Sequence, residues 1–465
     1  MSKGIVLVMD YSIIEKYKSE IMKDLAELVS IPSVASEEED GCPFGKEAAR
    51  ALDYILERAK ELGFSVKNIG NAAGYAEMGE GEDYAAVLTH VDVVPAGDGW
   101  DTDPFTLTVR DGRLLGRGVA DDKGAAVVAL WCMKALADAG VVGKRRFRCV
   151  FGCGEEVGMG DMETFFAAEP LPSMAFTPDS AYPVCNREKG ILHFSMSVPN
   201  DSEAVKSISA GTAVNCVAEK AQAELECSEK EIADIMEFVK ERGCQFDLSM
   251  NCNRYVVGVY GKSAHAMEPE SGVNAASALI CALAEKLDGA GSFIKKAAKT
   301  VAADYDGIGM GIDCSDEPSG KLTFNLGNIR EKDGKTVFGM DVRYPVTKLG
   351  SDIVAILEKT AADNGFELCV ESDVAPIYMP EDDKLIRALC DCYEEITGEK
   401  AELYSTGGGT YARSLGGRGV AFGMEFPDSP PTLLHQANEG FGEDDMMRHA
   451  KICLAAMHRL FTMDD

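Results

Sequence analysis

Two of the six histidines, His90 and His435, lie in segments that could bind a metal ion. His90 follows the apolar run 84–88, which is typical of a strand that is buried on both faces. Alternation along a strand puts His90 and Asp92 on the same side, so a carboxylate can hold the imidazole in one tautomer. His435 follows Leu434 in a late loop. Strand ends of α/β sheets face the crevice where ligands bind, so His90 is a candidate metal ligand.

Two adjacent carboxylates, Asp121 and Asp122, lie in a turn that is flanked by Gly118 and Gly124 and precedes an apolar helix. One interpretation is that one of them caps this helix. The other is that a cation binds there, because two neighbouring acids before an apolar helix repel each other otherwise. The sequence leaves both interpretations open at this point.

A second acidic pair, Glu155 and Glu156, follows the apolar run 147–151, and Asp179 follows a further short strand. The glycines around the pair loosely match a dinucleotide-binding turn, but their spacing is wrong and two glutamates would repel a pyrophosphate. Paired carboxylates suit a division of labour in which one binds metal and the other moves protons. Two imidazoles with carboxylates favour Zn²⁺ or Mn²⁺, since a calcium site prefers oxygen ligands alone.

The elements that position these residues fall into two classes. Helical and strand patterns alternate along the first third of the chain, which predicts an α/β layer with a mixed or mostly parallel sheet. The middle has strands with one polar face and predicts antiparallel sheet covered by helices on one side. The end of the chain returns to long helices. We therefore predict an α/β catalytic domain of residues 1–187 and 381–465, a mixed sheet flanked by helices, split by an α+β lid of residues 188–380.

Composition excludes several classes of function. The 77 acidic and 46 basic residues give a net charge of −31, which disfavours binding to nucleic acids or anionic membranes. No apolar stretch approaches the roughly 20 residues of a membrane span, and the apolar run Ile5–Met9 is too short for a secretion signal. The fifteen cysteines are scattered, which favours reduced thiols. We expect a cytoplasmic protein.

Several motifs in the same order resemble those of the M20 metallopeptidases, and among them the PepV-like dipeptidases, which are similar to carnosinases and other Xaa-His dipeptidases. The resemblance covers nearly the whole chain. It implies the phosphorylase/hydrolase-like form of the α/β fold. The matching segments are His90-Val-Asp92-Val-Val-Pro, Gly116-Arg-Gly-Val-Ala-Asp121-Asp-Lys-Gly, Glu155-Glu156, Thr177-Pro-Asp179 with Glu188-Lys-Gly190, and His435.

The resemblance implies a role for each of these residues. Two divalent cations, zinc first and manganese as the alternative, share Asp121. The first cation site is completed by His90 and Asp179, and the second by Glu156 and His435. Glu155 is the general base that takes a proton from a metal-activated bridging water, and Asp92 stands behind His90.

Substrate contacts in the lid are implied in the same way. His265, in Lys262-Ser-Ala-His265, matches a histidine that contacts the scissile carbonyl. Asn215 and Arg343 match contacts to the substrate carboxylate, and Gly408 belongs to a matching glycine-rich loop, 407–413. From the residues alone, Arg343 faces away from the core, and an ordinary solvated arginine is the alternative. The sequence departs from the family pattern at Cys153 and Gly154, before the glutamate pair, and at Ala218. His193, His449 and His458 receive no role.

The expected function is metal-dependent hydrolysis of the amide bond of dipeptides with a free amino terminus. An N-acyl amino-acid deacylase or desuccinylase is the alternative within the family, and a catalytically silent metal-binding protein is the alternative outside it. The 193 residues of the insertion exceed one small α+β unit, so we predict two such units in the lid. A doubled lid could supply His265 and Arg343 within one chain, which predicts a monomer whose lid closes over the metals.

Overall fold

The fold is given by a computed structural model that describes residues 9–464. The run Ile5–Met9 therefore lies outside the described residues except for Met9. The α-helices are α1 Lys18–Val29, α2 Lys46–Glu61, α3 Lys123–Asp138, α4 Gly160–Ala168, α5 Glu229–Glu241, α6 Ala275–Lys286, α7 Gly291–Lys299, α8 Gly350–Asn364, α9 Lys384–Thr397 and α10 Glu443–Thr462.

Many of the strands are short. They are β1 Ser65–Ile69, β2 Ala73–Met78, β3 Tyr84–His90, β4 Thr108–Arg110, β5 Arg113–Leu115, β6 Arg146–Gly152, β7 Met174–Thr177, β8 Ser180–Ala181, β9 Val184–Glu188, β10 Gly190–Pro199, β11 Val205–Ala210, β12 Lys220–Leu225, β13 Gln245–Asn251, β14 Arg254–Tyr260, β15 Ser315–Asp316, β16 Gly320–Lys321, β17 Thr323–Lys332, β18 Lys335–Tyr344, β19 Glu367–Val374, β20 Ile377–Tyr378, β21 Leu403–Thr406, β22 Gly419–Ala421, β23 Met424–Glu425 and β24 Gly440–Gly442.

The chain forms two compact units. The first contains residues up to Asn186, Met379–Tyr404 and the chain from Gly409 onward, and the second contains Arg187–Tyr378 and Ser405–Gly408. The short segment Ser405–Gly408, which the predicted boundaries put in the catalytic domain, groups with the second unit. Its backbone is bonded there, because Lys189 N donates to Thr406 O at 2.9 Å and Arg343 Nη1 donates to Gly407 O at 2.8 Å.

A mixed sheet is the centre of the first unit, with strands in the order β1-β2-β6-β3-β7-β22-β9. Strand β3 pairs in parallel with both β6 and β7, whereas β1, β2 and β6 pair antiparallel. All seven residues of β3 are buried. Ala85 and Val87 join the core that includes α3 and α10, and Tyr84, Ala86 and Leu88 join a smaller core with α4. Helices therefore cover both faces, as the apolar run 84–88 predicts.

The second unit is an antiparallel sheet of eight strands in the order β13-β14-β12-β11-β17-β18-β10-β19. Buried and partly exposed residues alternate along β10, and helices α5 to α8 contribute to the core beneath the sheet. The predicted α+β class of the insertion is confirmed. Eight of its strands form one continuous sheet, whereas β15 and β16 pair separately. Its division into two α+β units stays a prediction.

None of the helices formed by residues 9–464 has both the length and the apolar character that crossing a membrane would require.

Candidate metal centre

Three parallel strands of the first unit end side by side, and a predicted site residue lies at or just after the end of each. His90 is the last residue of β3, the pair Glu155-Glu156 follows β6, and Asp179 follows β7. Because β3 lies between β6 and β7, the three carboxyl ends meet at one edge of the sheet. Ligand sites of α/β sheets form at such an edge.

Asp121 lies between the two histidines. Its Oδ1 is 3.0 Å from His90 Nε2 and its Oδ2 is 3.0 Å from His435 Nε2. Glu156 Oε2 lies 3.2 Å from His435 Nε2, and Asp179 Oδ2 lies 4.0 Å from His90 Nε2. The two oxygens of Asp121 therefore face two separate groups of side chains. His90 and Asp179 lie on one side, and His435 and Glu156 lie on the other.

Glu155 lies on the His90 side of this arrangement. Ligand atoms of His90, Glu155 and Asp179 lie within 4.8 Å of one another, and so do those of His90, Asp121 and Glu156. The structure thus brings together six of the residues that the sequence singles out: His90, Asp121, Glu155, Glu156, Asp179 and His435.

The backbone around Asp92 fixes the orientation of His90. His90 Nδ1 is 3.0 Å from the backbone oxygen of Asp92 and 3.4 Å from its carboxylate. Because a carbonyl oxygen can only accept, Nδ1 carries a proton, and Nε2, which faces the Asp121 carboxylate, is the nitrogen that a metal ion could bind. The Asp92 carboxylate also accepts from Glu155 N at 3.3 Å and Glu156 N at 3.2 Å. Asp92 therefore positions the glutamate turn as well as the histidine.

The helix-capping interpretation of the Asp121-Asp122 pair is wrong. Asp122 stands at the N-cap of α3 without a side-chain capping bond, and its Oδ2 accepts from His90 N at 3.2 Å. The Asp121 carboxylate faces the histidines instead of the helix. Both carboxylates are thus used to build the site.

Burial and mutual repulsion perturb the acids of the site. Burial, with the charge of Asp179 in addition, raises the pKa of Glu155 well above its usual range. Burial also raises the pKa of Glu156, reinforced by Asp121. Burial opposes ionisation of Asp121 too, yet its hydrogen bonds to His435 and His90 leave its pKa below the usual value. Hydrogen bonds to Asp121 and Glu156 raise the pKa of His435 to about 10. These shifts show that the site stabilises bound positive charge, whether protons or cations.

Buried oxygens without a partner point in the same direction. Among residues 9–464, no hydrogen-bond partner reaches Glu155 Oε1, Glu156 Oε1 or Asp122 Oδ1, and all three atoms are buried. Leaving one buried polar group unsatisfied costs about 1–3 kcal/mol, and more if it is charged. A bound cation would satisfy the oxygen of Glu156 and place positive charge close to the other two, so the residues present fit a centre for divalent metal ions.

Asp161 and Tyr411, which the sequence does not single out, hold the turn that carries the two glutamates. The Asp161 carboxylate accepts from Cys153 N at 2.8 Å and Gly154 N at 2.9 Å, and it also accepts from the Tyr411 hydroxyl. The structure explains why glycine stands at position 154, one of the departures from the family pattern. A Cβ there would lie 2.4 Å from the ring of Phe44.

The predicted substrate contacts lie in the second unit. The segments of Asn215 and His265 are joined, because Ala266 N donates to Asn215 O at 2.9 Å and Cys216 pairs with His265. His265 Nδ1 accepts from Met267 N at 3.1 Å. Gly408 N donates to Thr406 Oγ1 at 3.0 Å, within the short segment Ser405–Gly408.

Arg343 is buried, so its interpretation as a solvated arginine is wrong. Its Nε and Nη2 donate to Asp341 at 2.7 Å each, and its side chain is only 5% exposed. His193 Nε2 lies 2.9 Å from the same carboxylate, although the sequence pattern predicts no role for His193. The spacing of Asp341 and Arg343 on one strand could have indicated this pair, whereas the contact with His193 depends on the register of β10 and β18.

The chain is similar to known peptidases along most of its length. The model of peptidase family M20/M25/M40 matches residues 86–459. "Putative dipeptidase YtjP" of Bacillus subtilis (strain 168) is 36% identical over 457 residues, which is 95% of this chain and 97% of that protein. "Putative dipeptidase SH1171" of Staphylococcus haemolyticus is 33% identical over 464 residues, with 96% and 98% coverage.

Solved structures show the same fold at low identity. The dipeptidase Dug1p of Saccharomyces cerevisiae aligns with a TM-score of 0.60 at 14% identity, covering 98% of both chains. Human carnosine dipeptidase 1 aligns with a TM-score of 0.58 at 15% identity, covering 97% of this chain and 98% of that one.

The family model spans most of the chain and the relatives match it nearly from end to end. The resemblance predicted from the motifs is confirmed, as is the α/β class with an inserted α+β unit. The protein belongs to the metal-dependent peptidase family M20/M25/M40 and is a hydrolase of peptide bonds.

Proposed function

We propose that this peptidase cleaves dipeptides with a free amino terminus at a centre of two divalent cations, with Glu155 as the general base. The observation that carries the proposal is the position of Asp121, which presents one oxygen to His90 and the other to His435 at 3.0 Å each. A carboxylate so placed can bridge two ions. The names of the curated relatives give the substrate class.

Each cation would have its own ligands. His90, Asp179 and one oxygen of Asp121 would hold the first, and Glu156, His435 and the other oxygen of Asp121 would hold the second. This mixed set of imidazoles and carboxylates suits Zn²⁺, with Mn²⁺ as the alternative. Bound there, the ions would supply Lewis acidity and lower the pKa of a water between them.

Glu155 is the residue of this site best suited to move a proton. Its Oε1 is buried and accepts no hydrogen bond from residues 9–464, and burial raises its pKa, so it can hold a proton between two steps. We propose that it takes a proton from the attacking water and later delivers it to the leaving nitrogen as the C–N bond breaks. Asp92 sets the direction of Glu155, because its carboxylate accepts from the backbone N of Glu155 at 3.3 Å.

The substrate contacts come from the second unit in this proposal. Arg343 and Asn215 would bind the substrate carboxylate, the loop of Gly408 would line the site, and His265 would polarise the scissile carbonyl. These residues lie on connected segments. Thr323 pairs with Arg343 in the sheet, and its hydroxyl donates to Ala266 O at 3.3 Å, next to His265.

The test is a substrate panel on protein that has been stripped of metal and reloaded. Dipeptides are compared with their N-acetylated and N-succinylated equivalents at matched concentrations of Zn²⁺ and of Mn²⁺. We expect the dipeptides to be cleaved, with activity lost on chelation and restored by metal. Preference for the acylated substrates would assign a deacylase instead, and bound metal without any hydrolysis would assign a silent metal-binding protein.

A further inference from the structure

A buried ion pair lies next to the proposed metal ligands without belonging to them. Arg117 Nη1 donates to Glu439 Oε2 at 2.6 Å, and the two side chains are 1% and 0% exposed. Removing two charges from water costs several kcal/mol per ion unless the geometry and further hydrogen bonds compensate. The further hydrogen bonds of the two side chains go to the loops that carry the ligands.

Glu439 holds the loop that leads to Asp121. Its Oε1 accepts from three backbone amides, those of Gly118 and Ala120 at 3.0 Å and that of Asp121 at 3.3 Å. The backbone oxygen of Glu439 also accepts from Gly116 N at 3.1 Å. Three amide donors on one carboxylate oxygen restrict this turn, so Glu439 fixes the backbone of Asp121 itself.

Arg117 connects the other two ligand loops to the same point. Its Nη2 lies 3.3 Å from the backbone oxygens of Pro95, Ala96 and Gln436. Pro95 and Ala96 come shortly after His90 and Asp92, and Gln436 directly follows His435. Only a guanidinium presents enough donors in one plane to reach all these oxygens and the carboxylate together.

The loop of His435 needs such support. Leu433, His435 and Asn438 have φ angles of 58°, 61° and 64°, the left-handed region that side chains other than glycine rarely adopt. Backbone of this kind persists only where the surroundings hold it. The contact of Arg117 with Gln436 O is one that holds this loop next to His435, and Asp101 N supports its far end by donating to Asn438 Oδ1 at 2.8 Å.

We propose that Arg117 and Glu439 are positioning residues that set the spacing of His90, Asp121 and His435 and thereby the affinity of the centre for its cations. This inference rests on the ligands assigned under the proposed function. It assigns neither residue a contact with metal or substrate. The pair acts through the backbone of the three loops.

The test compares Glu439→Gln and Arg117→Lys with the wild-type protein. Glu439→Gln keeps the shape of the side chain but removes its charge, and Arg117→Lys keeps the charge but removes the planar fork. Each protein is stripped of metal and equilibrated with buffered Zn²⁺, and the bound metal is counted after desalting. Melting of the metal-free form and kcat and KM for a dipeptide are measured in parallel.

We expect the free Zn²⁺ needed for half occupancy to rise about 10- to 100-fold in both variants, as for other residues that orient metal ligands. The matched control is Glu169→Gln. Glu169 forms a buried ion pair with Arg148 at 2.8 Å, with side chains 8% and 3% exposed, away from the ligand loops. This control should lower the melting temperature but leave the Zn²⁺ requirement unchanged.

Glu439→Gln could instead bind Zn²⁺ as tightly as the wild type while its melting temperature falls like that of Glu169→Gln. That result would mean that the pair has a purely structural role, and it would overturn the inference. If Glu439→Gln does not fold, Arg117→Lys decides by the same comparison. A wild-type protein that takes up no Zn²⁺ or Mn²⁺ would instead remove the ligand assignment, and with it both the proposed function and this inference.

Discussion

The free energy of unfolding should depend on pH because of a buried histidine in the last helix, α10. His449 of α10 is fully buried, and its Nδ1 lies 3.0 Å from the hydroxyl of Tyr182. Among residues 9–464, its Nε2 has no hydrogen-bond partner. Burial lowers the pKa of His449 to about 3, because a charged imidazole would lie unpaired in the core.

The sign of the effect follows from proton binding. Between the unfolded pKa of about 6.5 and the folded pKa of about 3, the unfolded chain binds a proton that the folded chain does not. The stability that His449 contributes is therefore present above pH 6.5 and is lost as the pH falls. Lowering the pH from 7.5 to 5 removes about 2 kcal/mol, since 1.5 pH units at about 1.36 kcal/mol each lie below the unfolded pKa.

The assay compares wild type with His449→Gln, which is neutral at every pH. Urea unfolding of the metal-free proteins is followed by tryptophan fluorescence at pH 7.5 and pH 5. Both tryptophans, Trp100 and Trp131, lie in the first unit with His449, so the signal reports the unfolding of that unit. Groups other than His449 titrate alike in the two proteins, and subtracting their free energies of unfolding isolates this histidine.

We expect the wild type to lose about 2 kcal/mol more than His449→Gln between the two pH values. A difference between the two proteins that stays constant with pH would refute the reasoning, because it would mean that His449 titrates alike in the folded and unfolded states.

Three further predictions concern the substrate contacts, the metal and the assembly. Asp341→Asn removes the carboxylate that pairs with Arg343. Losing hydrogen bonds to a charged group costs about 1.5–3 kcal/mol, so KM for dipeptides should rise about tenfold or more. Steady-state kinetics should show little change for dipeptide amides, and an equal rise for both would contradict the prediction. Protein at a free metal concentration of 100 times Kd should be about 2.7 kcal/mol more stable to urea than chelated protein, as followed by tryptophan fluorescence. Identical urea curves with and without chelator would count against a bound cation. Light scattering should give an active species near the 49.9 kDa of one chain, and activity confined to twice that mass would exclude the monomer.

Part of the candidate site in the first unit could be predicted because its signals are local in sequence. His90, Glu155 and Asp179 each follow a short apolar run, and parallel strands bring such ends together. Asp121 and His435 were placed by the family resemblance, since nothing in their spacing shows that they face each other at 3.0 Å. The scattered cysteines are also predicted to be reduced, and Cys132, Cys149 and Cys453 are free, buried thiols of the core.

The supporting residues could not be predicted, because their contacts join distant parts of the chain. Glu439 binds the amide of Asp121 across 318 positions, and Tyr411 reaches Asp161 across 250. His193 meets Asp341 only through the register of two strands that are separated by most of the insertion. Sequence periodicity indicates which face of an element is buried, but it carries no information on which polar groups meet across elements.

The most direct measurement of the central claim is metal content and turnover of Glu155→Gln on the same sample. This substitution removes the proposed base but none of the proposed ligands, so the variant should retain two divalent ions per chain. Its kcat for a dipeptide should fall about 10²- to 10⁴-fold, the usual contribution of a general base. Glu163→Gln makes the same chemical change at an exposed position of α4 and should leave kcat and metal content as in the wild type. Near-normal kcat in Glu155→Gln with two metals bound would contradict the assignment of Glu155 as the base.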